Sequence, residues 1–470
     1  MRDRSTREST DFSRVKCQIV SAIFLATNAR RLRLGRYPLM QKNSPSNCIS
    51  VSWSQDSRLC WVILSAFLIR LLYLGIALFE VYRNQPLFRS NLFTISSVDY
   101  WDIEQRFYQF ATRVYKWRKI PYVNYPLEYP QLAGGLFQLI YSFQPGSLHA
   151  FALSLHLIQL PLEVMVTVII YRIALQIYGR KYASAAALFY NVSPLVLHTW
   201  VSRFDAIPVF LTLTSLYLIL RRRYVYSFLM VAVGIMFKWY PVLLLFPYIS
   251  YMRTEGVSQQ AILRSLKVLA VFCLAVILPF LALSPQFFLE SYVFHLGRGL
   301  NYQSLWVLLL SVANLISATG LSAGAISSVS MFLQLVGCLS VLIFRIRGSK
   351  ALIIACSYIL MVFVFFNKFY SPQYAVWFTP FLLLSLEGAW DWLLQILLQV
   401  SLYVEYPLLW NLRFSEVYPY FYWAVALKFL LLFIIISKRT ILLFRPPIST
   451  ISESNLPYNA LSGSNGDAEE

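Results

Sequence analysis

Residues 59–78 read LCWVILSAFLIRLLYLGIAL, and Arg70 is the only charged residue in this stretch. A helix of about 20 apolar residues is long enough to cross the roughly 30 Å hydrocarbon core of a bilayer. Residues 420–436 form a similar run near the carboxyl end of the chain. The strands of a membrane barrel would alternate polar and apolar residues, and these runs do not alternate. The pattern therefore predicts membrane-spanning helices.

The composition of the whole chain indicates the same class of protein. Of its 470 residues, 58% are hydrophobic and only 13% are charged, and the mean hydropathy is +0.59. Soluble domains are far less apolar and more charged. The formal net charge of +19 does not indicate a nucleic-acid partner, because Lys and Arg gather in short clusters between the apolar runs. We predict an all-α, polytopic membrane helix bundle that binds no nucleic acid.

The basic clusters predict how the chain is oriented, because Lys and Arg near helix ends stay on the cytosolic side. Residues 82–149 then form a long first loop outside the cytosol, and the apolar runs, with residues 182–200 and 240–251 among them, give about 12 spans, with a range of about 10–13. Within that loop, residues 131–143 are apolar but too short to span, so we predict a helix lying at the membrane interface. The clusters that set this orientation are residues 30–36, 180–181, 221–223, 345–350 and 438–439.

The two ends of the chain differ from its apolar middle. Residues 1–58 are rich in Arg and Ser and predict a basic, disordered cytosolic tail, and residues 441–470 predict a second disordered cytosolic tail. A short apolar run at residues 17–29 leaves a signal peptide open as an alternative. Another alternative is that Met40 is the true first residue. In each case residues 59–440 form the transmembrane domain.

Acidic residues are scarce, with 21 in the chain, so their positions are informative. Asp99, Asp102 and Glu104 follow the first predicted span on its outer side, among aromatic residues. A carboxylate in such a place can have its pKa raised and act as a general base toward a hydroxyl. The alternative for each is a solvated loop carboxylate.

Other charged residues map to the same predicted side. Asp205 begins a span, where a carboxylate can cap the free N–H groups of the first helical turn. Arg203 beside it offers the charge-assisted contact that phosphate favours. Lys238 precedes the helix-breaking Pro241, although a lysine at an interface also commonly snorkels. Cations and carboxylates on one face suit a reaction that expels a phosphate and deprotonates an alcohol; the further cations there are His295, Arg298 and Lys368.

A membrane transporter, such as a flippase for lipid-linked glycans, is the alternative function. It would carry ionisable residues along a path through the spans, together with internal repeats. The spans contain mainly Arg70, Glu163 and Arg172, and no repeat is evident. We interpret Glu163 as a protonated side chain bonded to a neighbouring helix, because a charge within a span is costly.

Five short motifs resemble, in the same order, the bacterial polyprenol-phosphate-mannose-dependent mannosyltransferases of the C-type glycosyltransferase superfamily. The resemblance extends from about residue 59 to about residue 390. It implies a membrane enzyme that takes a sugar, usually mannose, from a polyprenyl phosphate and passes it to a lipid or glycan acceptor outside the cytosol. The motifs lie at residues 120–132, 203–208, 238–241, 295–300 and 369–377.

The resemblance also implies roles for particular residues. A catalytic acid in the first outer loop matches Asp99 or Asp102, with a slight preference for Asp99, and would deprotonate the acceptor in a single inverting displacement. Arg298, Lys238 and Lys368 would stabilise the leaving phosphate, and aromatic rings such as Tyr122 could stack on sugars. The residues expected to bind substrate are Glu128, Tyr129, Arg203, Asp205, Lys238, His295, Arg298, Lys368, Gln373 and Tyr374.

The expected partners are therefore the lipid-linked donor, the acceptor and membrane lipids. A carboxylate and phosphate site could use a divalent cation as a cofactor, but no ligand spacing in the sequence requires one. The close resemblance to bacterial members predicts a multi-pass protein of the bacterial plasma (inner) membrane.

Overall fold

The computed structural model describes residues 56–83, 85, 88–89, 94–95, 99, 102–313, 323–410 and 418–444. The chain divides into two units, Met1–Trp61 and Val62–Glu470. Only residues 56–61 of the first unit are described, and the site discussed below lies within the second. Most of both predicted tails, including residues 17–29 and Met40, lies outside the described residues.

The predicted all-α membrane bundle is confirmed. In the described first half of the chain, short helices of the predicted outer loop separate the two long helices, and four shorter helices follow the second long one. The helices of this half are α1 (Ser57–Arg83), a π-helical turn (Ile103–Tyr108), α2 (Gln109–Trp117), α3 (Gln131–Phe143), α4 (Leu148–Tyr178), α5 (Arg180–Val192), α6 (Pro194–Ser202), α7 (Ala206–Leu220) and α8 (Tyr224–Ile235).

The second half of the chain continues the bundle, and three short 3-10 turns join or extend its helices. The elements are a 3-10 turn (Tyr240–Leu244), α9 (Leu245–Thr254), α10 (Gln259–Leu283), α11 (Pro285–Gly297), α12 (Leu305–Ala313), α13 (Ala323–Leu339), a 3-10 turn (Ser340–Ile343), α14 (Gly348–Phe365), a 3-10 turn (Pro372–Tyr374), α15 (Ala375–Leu383), α16 (Ala389–Tyr403), a π-helical turn (Val404–Leu408) and α17 (Tyr418–Phe444).

Two very short strands occur in the first loop. The strand β1 (Phe88–Arg89) pairs antiparallel with β2 (Thr94–Ile95), so that Phe88 lies opposite Ile95. The hairpin is a small local feature and does not change the helical class.

Six of the described helices are long and apolar enough to cross a membrane, and a seventh span results if α6 and α7 count as one bent pair. The count of about 12 spans stays a prediction, because several predicted runs form shorter helices. Residues 182–200, predicted as one span, are divided between α5 and α6 at Pro194. Proline lacks an N–H group and cannot continue the hydrogen-bond ladder of the preceding helix.

The basic clusters lie at one end of several helices, and the predicted site residues lie at the other. The helix α7 runs from Asp205 to Arg221, and α8 returns from Arg223 to the turn that carries Lys238. At the basic end of α17, Lys438 pairs with Asp391 at 2.6 Å. The bundle therefore separates its positively charged end from the end that carries the candidate site.

One ion pair inside the spans differs from the sequence interpretation. Glu163 in α4 lies 2.6 Å from the guanidinium of Arg70 in α1, and both side chains are buried. Arg70 also donates to the side chain of Asn191 at 3.0 Å. Glu163 was interpreted as protonated, but the structure gives it a cationic partner. A charge buried among spans is tolerated when a partner of opposite charge lies beside it.

Candidate active site

A cavity of about 830 Å³ opens at the end of the bundle opposite the basic clusters at residues 221–223 and 438–439. It is formed by the first loop, by the bend between α6 and α7, and by the turns after α8, α11, α14 and α16. Asp205 does not line it, nor do Glu104 and Tyr122. The predicted residues that line it are Asp99, Asp102, Glu128, Tyr129, Arg203, Lys238, His295, Arg298, Lys368, Gln373 and Tyr374.

Arg203 lies at the bend between α6 and α7, where the two helix axes differ by 119°. Its Nη2 atom donates to Oδ2 of Asp99 at 3.0 Å, and its Nε atom lies 2.9 Å from Oδ2 of Asp102. The Nε group also donates to the side-chain oxygen of Gln373 at 2.7 Å. Nη1 donates to the backbone oxygen of Ser202. The guanidinium therefore joins both candidate bases to the loop that carries Gln373, and its donors are directed at protein acceptors.

Glu128 forms a second centre of ion pairing. Arg106 lies 3.0 Å from one carboxylate oxygen of Glu128, and Arg298 lies 3.3 Å from the other. Arg106 also lies 3.4 Å from Asp102, four residues earlier in the chain. Arg106 thus links the Glu128 centre to the carboxylates that Arg203 holds.

Asp205 stands at the amino-terminal end of α7, but its side chain makes no capping hydrogen bond, so the alternative of a helix cap is wrong. One oxygen of its buried carboxylate instead accepts hydrogen bonds from Nζ of Lys238 at 2.6 Å and from the indole N–H of Trp377 at 2.7 Å. An ammonium 2.6 Å away stabilises a buried carboxylate more than a helix dipole would. Asp205 therefore holds two residues of the cavity wall in place.

The prediction of a raised pKa is wrong for Asp99. Burial acts to raise the pKa of this carboxyl group, but the charge of Arg203 and hydrogen bonds from Tyr406 and Arg203 outweigh burial and lower the pKa to about 2. The hydrogen bonds come from the guanidinium of Arg203 and from the hydroxyl of Tyr406. Asp99 is therefore ionised at neutral pH. Glu104, the third acid of this group, is exposed and does not line the cavity.

His295 in α11 and Lys368 in the turn after α14 both line the cavity. The imidazole Nε2 of His295 lies 2.7 Å from the backbone oxygen of Glu128, and burial lowers the pKa of His295. Lys368 donates to the backbone oxygen of Leu296 at 2.6 Å and to the hydroxyl of Ser327 at 2.7 Å. Among the described residues, no carboxylate lies within ion-pair distance of Lys368.

Three stacked aromatic rings form part of the cavity wall. The ring of Trp377 lies between Tyr240, at a centroid distance of 4.3 Å, and Tyr374, at 4.2 Å. Trp377 is fixed further by its hydrogen bond to Asp205. Because Gln373 binds Arg203 and precedes Tyr374, the stack begins next to the carboxylate cluster.

The charges around the cavity nearly balance. Four carboxylates face five cations, of which four belong to the ion pairs described above. Among the described residues Lys368 supplies the remaining positive charge. The carboxylates are Asp99, Asp102, Glu128 and Asp205, and the cations are Arg106, Arg203, Lys238, Arg298 and Lys368.

Several residues of the cavity were not predicted from the sequence. Arg106 follows Asp102 by four residues, a spacing that places two side chains on one face of a helix, so it could have been found. Tyr406 and His198 lie outside the five motifs and give no such signal, whereas Trp377 ends the motif at residues 369–377.

A divalent cation was left open as a cofactor. In the described part of the chain, no three side chains of His, Cys, Asp or Glu come together as a group that could hold a metal ion. Asp99, Asp102 and Glu128 are each paired with an arginine instead.

Comparison with known proteins gives one family match over part of the chain. A model of the dolichyl-phosphate-mannose-protein mannosyltransferases matches residues 149–283. The match covers less than a third of the chain but includes Arg203, Asp205 and Lys238. No curated protein matches the chain.

The mannosyltransferase match confirms the resemblance predicted from the motifs. It supports a membrane glycosyltransferase of the mannosyltransferase type, with a glycosyl donor and an acceptor as substrates. Several long apolar helices agree with a multi-pass integral membrane protein.

Proposed function

We propose that the protein transfers a sugar, with mannose as the first choice, from a polyprenyl phosphate to a lipid or glycan acceptor. The transfer takes place outside the cytosol, inverts the anomeric centre and uses Asp99 or Asp102 as general base. A bacterial plasma membrane is the proposed location. The observation that carries the proposal is the cavity, in which residues from five separate motifs meet as paired carboxylates, cations and stacked aromatic rings.

The chemistry requires one bond to form and one to break. The acceptor oxygen attacks the anomeric carbon while its proton passes to the loop carboxylate. The bond between the anomeric carbon and the phosphate oxygen breaks, and polyprenyl phosphate leaves with the bonding electrons. A positioned carboxylate typically contributes about 10²–10⁴-fold to such a step.

Lys368 is the proposed binding residue for the phosphate. Its ammonium group has two neutral acceptors beside it, Leu296 and Ser327, so a phosphate oxygen would supply its counter-charge. Lys238 and Arg298 are already paired with carboxylates, and they add to the positive field around the leaving group. This role for a preorganised cation is the usual way that enzymes stabilise developing negative charge.

The stacked rings are the proposed platform for the sugar. Tyr374 and Trp377 line the cavity, and the apolar face of a hexose can pack against an aromatic ring. Since Gln373 ties this segment to Arg203, a sugar on Tyr374 would lie close to both candidate bases.

The test is sugar transfer from polyprenyl-phosphate-mannose by membranes that contain the wild type, Asp99→Asn or Asp102→Asn at equal expression. Each Asn variant keeps the shape of the side chain and removes the charge. We expect one of them to lose about 10²-fold or more of the rate. Glu104→Gln is the matched control, because Glu104 is an exposed carboxylate of the same segment that does not line the cavity.

Loss in one variant alone identifies the base. Full activity in both variants would rule out a loop carboxylate as base. Absence of transfer by the wild type with a broad panel of acceptors would rule out the polyprenyl phosphate donor.

A further inference from the structure

The turn Val404–Leu408 carries two neighbouring side chains with different surroundings. Tyr406 lines the cavity, whereas Glu405 is fully buried. The hydroxyl of Tyr406 donates a hydrogen bond to Oδ2 of Asp99, the same oxygen that accepts from Nη2 of Arg203. Two donors from different parts of the chain therefore converge on one oxygen of a candidate base.

The backbone next to Tyr406 is anchored by an ion pair. Glu405 lies 2.7 Å from Nζ of Lys428 in α17, and both side chains are completely buried. The same ammonium donates to the backbone oxygen of Gln303 at 2.9 Å and lies 3.6 Å from the ring centroid of Tyr370. Separating two buried charges of this kind is strongly unfavourable. The turn that carries Tyr406 is thus tied to α17 and to the segment before α12.

The ring of Tyr406 is also held. It meets the ring of His198 edge to face at 5.4 Å and the ring of Trp410 at 5.6 Å. Aromatic pairs prefer these perpendicular arrangements. Packing of the protein therefore sets the direction of the hydroxyl before any substrate binds.

We infer that Tyr406 is a positioning residue for the proton transfer: it holds Asp99 against Arg203, and the Glu405–Lys428 pair holds Tyr406. The inference rests on the proposed function. The phenol keeps its own proton throughout, and the proton of the acceptor passes to the loop carboxylate. Because Arg203 also binds Asp102, loosening Asp99 disturbs both candidate bases, so the inference holds whichever of them accepts the proton.

The kinetic test is Tyr406→Phe, which removes one hydroxyl and keeps the ring that packs on His198. We expect kcat to fall by roughly 10- to 100-fold, with KM for donor and acceptor changed by less than about 3-fold, because the hydroxyl is engaged by the carboxylate of Asp99. Tyr420→Phe is the matched control, since Tyr420 is 59% exposed. An unchanged kcat would overturn the inference. A raised KM with an unchanged kcat would also overturn it, by making Tyr406 a residue that binds substrate.

A second measurement does not depend on activity. The melting temperatures of purified Tyr406→Phe, Asp99→Asn and the double variant form a double-mutant cycle. We expect the melting temperature of the double variant to fall by less than the sum of the two single decreases, because both substitutions remove the same hydrogen bond. Additive shifts would overturn the contact on which the inference rests. If the shifts are coupled but the wild type transfers no sugar, the contact stands and the proposed function is rejected.

Discussion

Among single residues, Asp99 has the environment with the clearest consequence for pH. Its folded pKa of about 2 lies below the value of about 3.9 for an aspartate in an unfolded chain. A group with a lowered folded pKa stabilises the fold above its unfolded pKa, and this stabilisation is lost as the pH falls toward the folded value. The carboxylate of Asp99 should therefore stay ionised at any pH at which the membrane protein is handled.

We predict that kcat/KM for sugar transfer stays flat as the pH falls from about 7 to about 5, because protonation of Asp99 begins only below this range. A pH–rate profile of the wild type checks the prediction. The pH–rate profile of the residual activity of Asp99→Asn serves as the control. An acidic limb near pH 6 in the wild type that disappears in Asp99→Asn would contradict it.

Charged site residues could be predicted because charge is scarce in an apolar chain, so Asp99, Asp102 and Arg203 stood out. Their partners could not be predicted. Which oxygen meets which guanidinium depends on loops that are distant in sequence, and the lowered pKa of Asp99 follows from such contacts. The same reason explains why Asp205 holds Lys238 and Trp377 and does not cap its helix.

At the scale of elements, α13 and α14 approach each other closely at Gly337. A Cβ atom at this position would lie 2.5 Å from Cγ1 of Val362. Val362 is branched at Cβ and buried, so its side chain has few other rotamers to adopt. The absence of a side chain at Gly337 is therefore what lets α14 pack against a helix whose Met331 and Gln334 line the cavity.

We predict that Gly337→Ala lowers the free energy of unfolding by about 1–3 kcal/mol, as overpacking of a close contact does. Thermal unfolding of the purified protein in detergent checks this. Gly75→Ala is the control, because a Cβ atom at Gly75 in α1 would meet open space. Equal melting temperatures for the two variants would argue against the close approach of α13 and α14.

Element boundaries were predicted well where one physical signal dominates. The helix predicted at residues 131–143 matches α3, since Pro130 precedes it and its apolar positions stop at Phe143. Residues 182–200 and 240–251 were predicted as single spans but contain breaks at Pro194 and in the 3-10 turn Tyr240–Leu244. A run of apolar residues shows that a segment avoids water, but it does not show where the backbone bends.

For the whole molecule, the separation of the cavity from the basic clusters indicates which side of the membrane the cavity faces. Lys and Arg clusters at helix ends favour the cytosolic side, and the clusters at residues 221–223 and 438–439 lie at helix ends opposite the cavity. The cavity would then open outside the cytosol, where a lipid-linked donor is accessible and a cytosolic nucleotide is not.

We predict opposite accessibility for two engineered cysteines in a variant that lacks the six native ones. A membrane-impermeant maleimide should label Glu104→Cys in intact cells. It should label Lys181→Cys only after the membrane is permeabilised, because Lys181 belongs to a basic cluster. Both positions are exposed in the structure. Labelling of both from the same side would contradict the orientation.

Two of the ion pairs buried in the described part of the bundle differ in how the growing chain can form them. Arg70 and Glu163 are 93 residues apart, so ribosomal synthesis delivers the arginine well before its partner. Glu405 and Lys428 are only 23 residues apart, so both charges reach the insertion machinery almost together. A lone lysine at the centre of a span costs about 3 kcal/mol on insertion. The last helical hairpin can therefore enter the lipid with both charges paired, whereas α1 carries its arginine without this partner until α4 is made.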